Sequence, residues 1–212
     1  MSTVKTRSRW AASGALTGLL VASSTLAACG SKQAVLKGAV VTPAPNVAGV
    51  TLPDVAHDGK PFTMRAAAQG LLVVYFGYTN CPDLCPTTLS NIAVALRKIG
   101  SAKAQRVSVA MATVDPGRDT PVVLTGYLDH FFSTSHALRT TDQQQLADAA
   151  AAFGVEYQVA THSPGQTDYS VAHTAFSYVI DDRGRVVDEW PFGLKPADMA
   201  SDLKLLLKEE KT

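Results

Sequence analysis

The residues whose types and spacing could do chemistry are two neighbouring cysteines, Cys81 and Cys85, in the segment Tyr-Thr-Asn-Cys-Pro-Asp-Leu-Cys-Pro. The thiolate form of cysteine attacks disulfides and binds soft metal ions such as Cu(I) or Zn(II). Three residues separate the pair, whereas redox Cys-x-x-Cys motifs have two. The wider spacing leaves room for an ion between the sulfurs and still permits a disulfide.

A buried strand and a helix are expected to position this pair. Residues 71–76 form a continuous apolar run, which is typical of a strand buried on both faces of a parallel sheet. A helical pattern follows from Pro86 to about residue 99, and residues 107–114 form a second buried strand. Both thiols would then lie at a helix N-terminus, with Cys81 in a loop and Cys85 near the cap. We expect this position to lower their pKa values.

The rest of the chain continues this alternation. A Thr-Pro pair at 120–121 predicts a helix start, and Asp-Gly turns predict hairpins. The predicted elements are a hairpin around Asp58-Gly59, helices at 120–131 and 142–153, a hairpin of 175–180 with 185–189, and a last helix at 196–208. This order predicts an α/β protein of thioredoxin-like fold, with a mixed central sheet flanked by helices.

His173 is the third candidate ligand. If the hairpin beginning near residue 175 pairs antiparallel beside the parallel strands, its first strand starts where theirs end. The segment before it would then place His173 above the cysteine loop. One imidazole added to two thiolates suits both Cu(II) and Cu(I). Turn, loop or helix-end positions account for the other histidines, His57, His130, His136 and His162.

Asp115 follows the strand beside the cysteine strand, in Val-Asp-Pro-Gly-Arg-Asp-Thr-Pro. We expect it close to the sulfurs, where it would orient a ligand, tune the charge of the site or contact a partner. A simple turn role before Pro116 remains an equal alternative, and we do not predict Asp115 as a ligand. Asp119 and Thr120 are expected to cap the following helix.

The N-terminus is typical of an export signal. Lys5, Arg7 and Arg9 precede an uncharged stretch ending in Leu-Ala-Ala-Cys, which resembles the lipobox of bacterial lipoproteins. We predict a signal peptide at 1–28, lipidation of Cys29, a flexible tether at 29–46 and a folded domain at 47–212. The protein would be lipid-anchored at the extracytoplasmic face of the cell membrane. An ordinary signal peptide or an uncleaved anchor remains the alternative.

Composition excludes one class of partner. The 212 residues are 46% hydrophobic and 17% charged, as in a chain that buries a core. The formal net charge is only +1, so no basic excess indicates nucleic-acid binding.

Three ordered motifs carry a family resemblance. The cysteine segment, the Val-Asp-Pro-Gly-Arg-Asp-Thr-Pro segment and Tyr-Ser-Val-Ala-His-Thr at 169–174 together resemble the Sco/SenC family over roughly residues 47–210. The resemblance implies a thioredoxin-like copper-binding protein with Cys81, Cys85 and His173 as ligands. It also implies a role in assembling the binuclear copper centre of cytochrome c oxidase. Ala172 stands where many relatives carry an acidic residue.

Two functions fit this resemblance. A metallochaperone would receive Cu(I) or Cu(II) from an unidentified donor and pass it to the apo-copper subunit of cytochrome c oxidase, without turnover as an enzyme. A thiol–disulfide oxidoreductase would instead keep the cysteines of that copper site reduced, with Cys81 attacking and Cys85 resolving. The role of His173 distinguishes these two functions, because dithiol exchange does not require it whereas a three-ligand copper site does. A peroxidase and a purely structural lipoprotein are further alternatives.

Overall fold

The computed structural model describes residues 35–209, which form nine strands and five α-helices. The predicted signal peptide and Cys29 lie outside the described residues. The strands are β1 (Thr51–Asp54), β2 (Lys60–Thr63), β3 (Leu71–Gly77), β4 (Val107–Thr113), β5 (His136–Leu138), β6 (Tyr157–Val159), β7 (Val171–His173), β8 (Phe176–Ile180) and β9 (Val186–Pro191). The helices are α1 (Leu84–Ile99), α2 (Ser101–Ala104), α3 (Pro121–Asp129), α4 (Gln143–Ala152) and α5 (Pro196–Glu209), and a 3-10 turn covers Val55–His57.

Seven strands form one mixed sheet in the order β2-β1-β5-β4-β3-β8-β9. The three central strands β5, β4 and β3 run parallel, and β8 pairs antiparallel with β3 as the hairpin prediction required. α1 packs against α5, while α3 and α4 contact β5 and β1. Among residues 35–209, no helix is long and apolar enough to cross a membrane.

The core centres on β3, in which every residue is buried, as the apolar run predicts. Its parallel register with β4 pairs Gly77 with Thr113, so both strands end at the same level. α1 begins at Leu84, two residues before the predicted start, because Cys85 already lies in its first turn. The strand–helix–strand unit therefore delivers the cysteine loop to the carboxyl ends of the parallel strands.

Three short strands were not predicted. β5 joins the main sheet, and β6 and β7 form a separate antiparallel pair in which Tyr157 lies opposite His173. Each has three residues, which is too few to show the alternation that reveals a strand in sequence. His173 is thus the last residue of β7.

The stretch before the domain also differs from a free tether. Ala39 pairs with Glu189 of β9, and the backbone N–H groups of Lys37 and Gly38 donate to the Asp202 carboxylate at 2.9 and 3.1 Å. These contacts place residues 37–39 against β9 and α5. The predicted tether at 29–46 thus includes residues that contact the folded domain, and the boundary at residue 47 stays a prediction.

Candidate metal site

The two cysteines lie between β3 and the first turn of α1. Both are free thiols, and Cys85 has no solvent exposure while Cys81 is 8% exposed. The backbone N–H of Cys85 donates to Cys81 Sγ at 3.3 Å. This N–H is one of the donors that a helix N-terminus leaves without a partner inside the helix, and the Cys81 sulfur accepts its hydrogen bond.

His173 reaches the same point from β7. Its Nε2 lies 3.6 Å from Cys85 Sγ, and its Nδ1 lies 3.0 Å from the carbonyl oxygen of Thr174. Since a carbonyl only accepts, Nδ1 carries the hydrogen and Nε2 presents its lone pair toward the sulfur. The expectation that His173 lies over the cysteine loop is confirmed.

Cys81, Cys85 and His173, hereafter the Cys–His cluster, have the spacing that a metal ion requires. Their ligand atoms all lie within 4.8 Å of one another. An ion bonded at about 2.3 Å to sulfur and about 2.0 Å to nitrogen separates the two atoms by roughly 3.5 Å at a tetrahedral angle. The Cys85–His173 distance of 3.6 Å matches that separation. Two sulfurs and one imidazole suit copper better than a hard cation.

Two tyrosines enclose the cluster. Tyr75 of β3 donates its hydroxyl to Cys85 Sγ at 3.5 Å. The rings of Tyr75 and Tyr78 meet the His173 imidazole edge-on, with centroids 5.9 and 5.8 Å away. Sequence reasoning missed both residues, because Tyr75 looks like one more member of the apolar run that forms β3. A hydroxyl-bearing residue inside that run was the only available signal.

Burial alters the ionisation of Cys85 and His173. It raises the pKa of Cys85 to about 12, although the Tyr75 hydrogen bond acts in the opposite direction. The expectation of a lowered thiol pKa is therefore wrong for Cys85, because desolvation outweighs the helix N-terminus. Burial also lowers the pKa of His173. Both side chains are neutral at pH 7 without metal, and a bound cation would compensate the thiolate charge.

Known proteins are similar to this chain in sequence and fold. The SCO1/SenC family profile matches residues 52–208, which is well over half of the chain. The chain belongs to the SCO1/SenC family. A SCO2-like protein of Rickettsia conorii is 31% identical over 148 residues, which cover 70% of this chain and 71% of that protein.

Solved SCO1/SenC structures agree with the fold. Copper-bound ScoI of Bradyrhizobium japonicum superposes with a TM-score of 0.62 at 33% identity, covering 73% of this chain and 95% of that chain. A SCO1/SenC lipoprotein of Bacillus anthracis has a TM-score of 0.57 at 25% identity, covering 74% of this chain and 91% of that one. These likenesses confirm the predicted thioredoxin-like architecture.

Asp119 fixes the cysteine loop of this SCO1/SenC chain. Its buried carboxylate accepts from Thr79 N at 3.1 Å, from Thr79 Oγ1 at 2.6 Å and from Thr113 Oγ1 at 2.5 Å. The helix-cap prediction is wrong for Asp119, since its carboxylate faces the loop, and right for Thr120, whose side chain accepts from Val123 N. Asp119 thus ties the loop to the end of β4.

Asp115 contacts Tyr169 and Arg118. It accepts from Tyr169 Oη at 2.8 Å and from Arg118 Nε at 2.5 Å. Across the described residues, no hydrogen bond joins Asp115 to the Cys–His cluster. The Arg118 guanidinium lies 5.6 Å from the centre of the Tyr78 ring. The prediction that Asp115 influences the site stays a prediction. Such an influence would pass through Arg118, which contacts both Asp115 and the Tyr78 ring.

Proposed function

We propose that this SCO1/SenC protein is an extracytoplasmic copper metallochaperone. The Cys–His cluster would bind copper as cargo and release it to the binuclear copper site of cytochrome c oxidase. The 3.6 Å approach of Cys85 Sγ to His173 Nε2 carries this proposal, because it fits an ion bonded to both atoms. Two facts about relatives support it: ScoI of B. japonicum binds copper, and Sco proteins are cytochrome c oxidase assembly proteins.

Unequal burial of the ligands suits a stepwise handover. His173 is only partly buried and borders an open cavity, Cys81 is 8% exposed, and Cys85 is fully buried. An incoming ligand of the apo-copper subunit would displace His173 first, because that imidazole is the most accessible of the three. The Cys85 sulfur would leave last. Copper would enter from an as yet unidentified donor by the reverse order.

A lipid anchor would place the protein at the membrane. Lipidation of Cys29 after removal of residues 1–28 would hold the protein at the extracytoplasmic face of the cell membrane, beside a membrane-bound oxidase. The Leu-Ala-Ala-Cys sequence and the lipoprotein relative of B. anthracis support this proposal.

A thiol–disulfide oxidoreductase is the second candidate, favoured by two free thiols whose sulfurs lie within 4.8 Å. The Cys81 thiolate would attack a target disulfide and release one target thiolate. The Cys85 sulfur would then attack the mixed disulfide, giving a Cys81–Cys85 disulfide and a fully reduced target. The two electrons come from the dithiol. Dithiol exchange does not require His173, whereas a copper site does, so the position of His173 Nε2 3.6 Å from Cys85 Sγ favours copper binding.

Copper titration of the reduced full chain tests the choice. We expect one Cu(I) per Cys–His cluster in competition with a chelator, and a sulfur-to-Cu(II) charge-transfer band that His173→Ala disrupts. His130→Ala is the matched control, because His130 is exposed and its ring bonds only the Gly126 carbonyl. Disulfide reduction at full rate in His173→Ala, with no tight Cu(I) binding in the unmodified protein, would assign the oxidoreductase role instead.

A further inference from the structure

A second group of ligating side chains meets at the end of β1. Asp54 Oδ2 accepts from His57 Nδ1 and from His136 Nδ1, both at 2.7 Å. The Asp54 side chain is 4% exposed, whereas those of His57 and His136 are 55% and 27% exposed. These three residues, hereafter the Asp54 cluster, offer ligand atoms within 4.8 Å of one another.

The backbone fixes the Asp54 carboxylate independently of the histidines. Its Oδ1 accepts from the N–H groups of Ala56 and Ala137, each at 3.1 Å. Oδ2 is therefore aimed at the imidazoles by bonds that a metal ion would not disturb. Carboxylates that ligate metals are held in this way by hydrogen bonds to their other oxygen.

We propose that the Asp54 cluster is a second metal site, which takes a borderline divalent ion such as Zn²⁺ or Cu²⁺. Two imidazoles and one carboxylate form a ligand set suited to such ions, with the remaining positions filled by water. At present each neutral imidazole donates its Nδ1 hydrogen to Oδ2. When the metal binds at Nδ1, that hydrogen passes to solvent and one from solvent is taken up at Nε2. Each imidazole therefore stays neutral, no net proton is released and no redox change is needed.

The ligand atoms of the Asp54 cluster must move apart only slightly to hold a metal ion. Bonds of about 2.0–2.1 Å at tetrahedral angles place neighbouring ligand atoms roughly 3.3 Å apart. The present separation is 2.7 Å, so each imidazole must withdraw by about 0.6 Å. His57 is more than half exposed and can move outward. His136 packs against Phe62, with ring centroids 4.2 Å apart, so it is the less free of the two imidazoles to make this shift.

Solvent and ions have access to the cluster. His57 and His136 border a cavity of about 270 Å³ that also has Ser108 and Thr134 in its lining. The site is separate from the Cys–His cluster, because β4 lies between β5 and β3. His136 is also in register with Ala110, whereas the cysteine loop begins beyond the Gly77–Thr113 pair.

Metal titration of a full chain that lacks the first site tests this proposal. The background variant is Cys81→Ser, Cys85→Ser and His173→Gln. Calorimetry with Zn²⁺ is expected to show one ion bound, with an affinity that falls at least about tenfold in His57→Gln and in His136→Gln. With Cu²⁺, the EPR spectrum of the background variant is expected to show coupling to two imidazole nitrogens. His57→Gln should remove one of them.

His130→Gln and His162→Gln, placed in the same background, are the controls. Both histidines lie outside the cluster, and each ring bonds only a backbone carbonyl. Unchanged thermal unfolding would show that His57→Gln leaves the fold intact, as expected for an exposed side chain. Absence of Zn²⁺ binding in the background variant, or equal binding in His57→Gln and His130→Gln, overturns the proposal. The Asp54 cluster would then serve only to tie β1 to β5.

Discussion

The Cys–His cluster and the Asp54 cluster lie in one domain but differ in the type of their ligand atoms and in how deeply these are buried. The first is rich in sulfur, both of its cysteines are buried, and two tyrosine rings meet its histidine edge-on. The second consists of oxygen and nitrogen and includes a histidine side chain that is 55% exposed. Sulfur ligands suit an ion that sheds its water easily, whereas an exposed imidazole–carboxylate set leaves room for bound water. The cluster with the softer ligand atoms is therefore also the more deeply buried one.

The means of support also differ. Backbone N–H groups hold the Asp54 carboxylate directly. The cysteine loop depends instead on a side chain, because Asp119 joins Thr79 of the loop to Thr113 at the end of β4. A support made of side chains can be removed by one substitution, whereas backbone support cannot. The comparison predicts that mutations disturb the Cys–His cluster more easily.

Ion preference should give the largest difference. Cys85→Ser is expected to lower Cu(I) affinity by more than about 100-fold, because a thiolate is replaced by a hard hydroxyl. His57→Gln should leave Cu(I) affinity unchanged, since soft Cu(I) prefers the thiols. Competition with a Cu(I) chelator measures both variants. A similar loss in each would show that the two clusters are not independent.

Removal of the Asp119 support comes next. Asp119→Ala leaves Thr79 and Thr113 without their acceptor, and should cost about 2–4 kcal/mol of unfolding free energy together with weaker Cu(I) binding. Asp142→Ala is the control, because this carboxylate likewise accepts backbone hydrogen bonds, from two N–H groups at the start of α4. It should cost about 1 kcal/mol without changing Cu(I) affinity. Denaturant unfolding and chelator competition on both variants separate loop support from general stability. Unchanged Cu(I) affinity in Asp119→Ala contradicts the loop role.

Gly77→Ala tests how tightly β3 is packed against the ligands. A Cβ at Gly77 would lie 2.6 Å from Tyr75 Cε1 and 3.0 Å from Cys85 Sγ. We expect a destabilisation of about 1–3 kcal/mol from this overpacking, with reduced Cu(I) affinity. Gly126→Ala in α3 meets nothing within 4 Å and should be neutral or stabilising by up to about 1 kcal/mol. If Gly77→Ala binds Cu(I) normally, the contact with Cys85 is less restrictive than the distances indicate.

The sequence was sufficient for the Cys–His cluster because its signals are local or topological. The apolar run of β3 and the helical periodicity after Pro86 predicted where the cysteines lie. The antiparallel pairing of β8 with β3 predicted that His173 would reach them. Each inference used a pattern that the chain shows within a few residues, or a connection rule for parallel strands.

The Asp54 cluster could not be predicted in the same way. His136 lies 82 residues from Asp54, in a three-residue strand with no recognisable pattern. The sequence predicts a turn at His57, three residues after Asp54. That prediction is correct for the backbone but does not say where the side chain lies. The ionisation of Cys85 was missed for a related reason, because a helix start is visible in sequence whereas the depth of burial is not.

The smallest effect on either cluster is expected from Asp188→Asn. Burial, then the charge of the neighbouring Asp202 carboxylate, raise the pKa of Asp188 to about 7, against about 3.9 in an unfolded chain. Between these values the folded protein keeps a proton that the unfolded chain has lost, so stability falls as pH rises from about 4 to 7.

The Asn amide oxygen can still accept from Trp190 Nε1, as Asp188 Oδ2 does at 2.8 Å. In the unmodified protein Tm should fall between pH 5 and pH 8, and in Asp188→Asn most of this fall should disappear. Each kcal/mol of unfolding free energy corresponds to about 2–4 °C in Tm. Thermal unfolding at the two pH values, with Cu(I) and Zn²⁺ titrations at pH 7, checks this expectation. An unchanged drop in Tm would place the pH dependence elsewhere, and altered metal binding would show that β9 is coupled to a metal site.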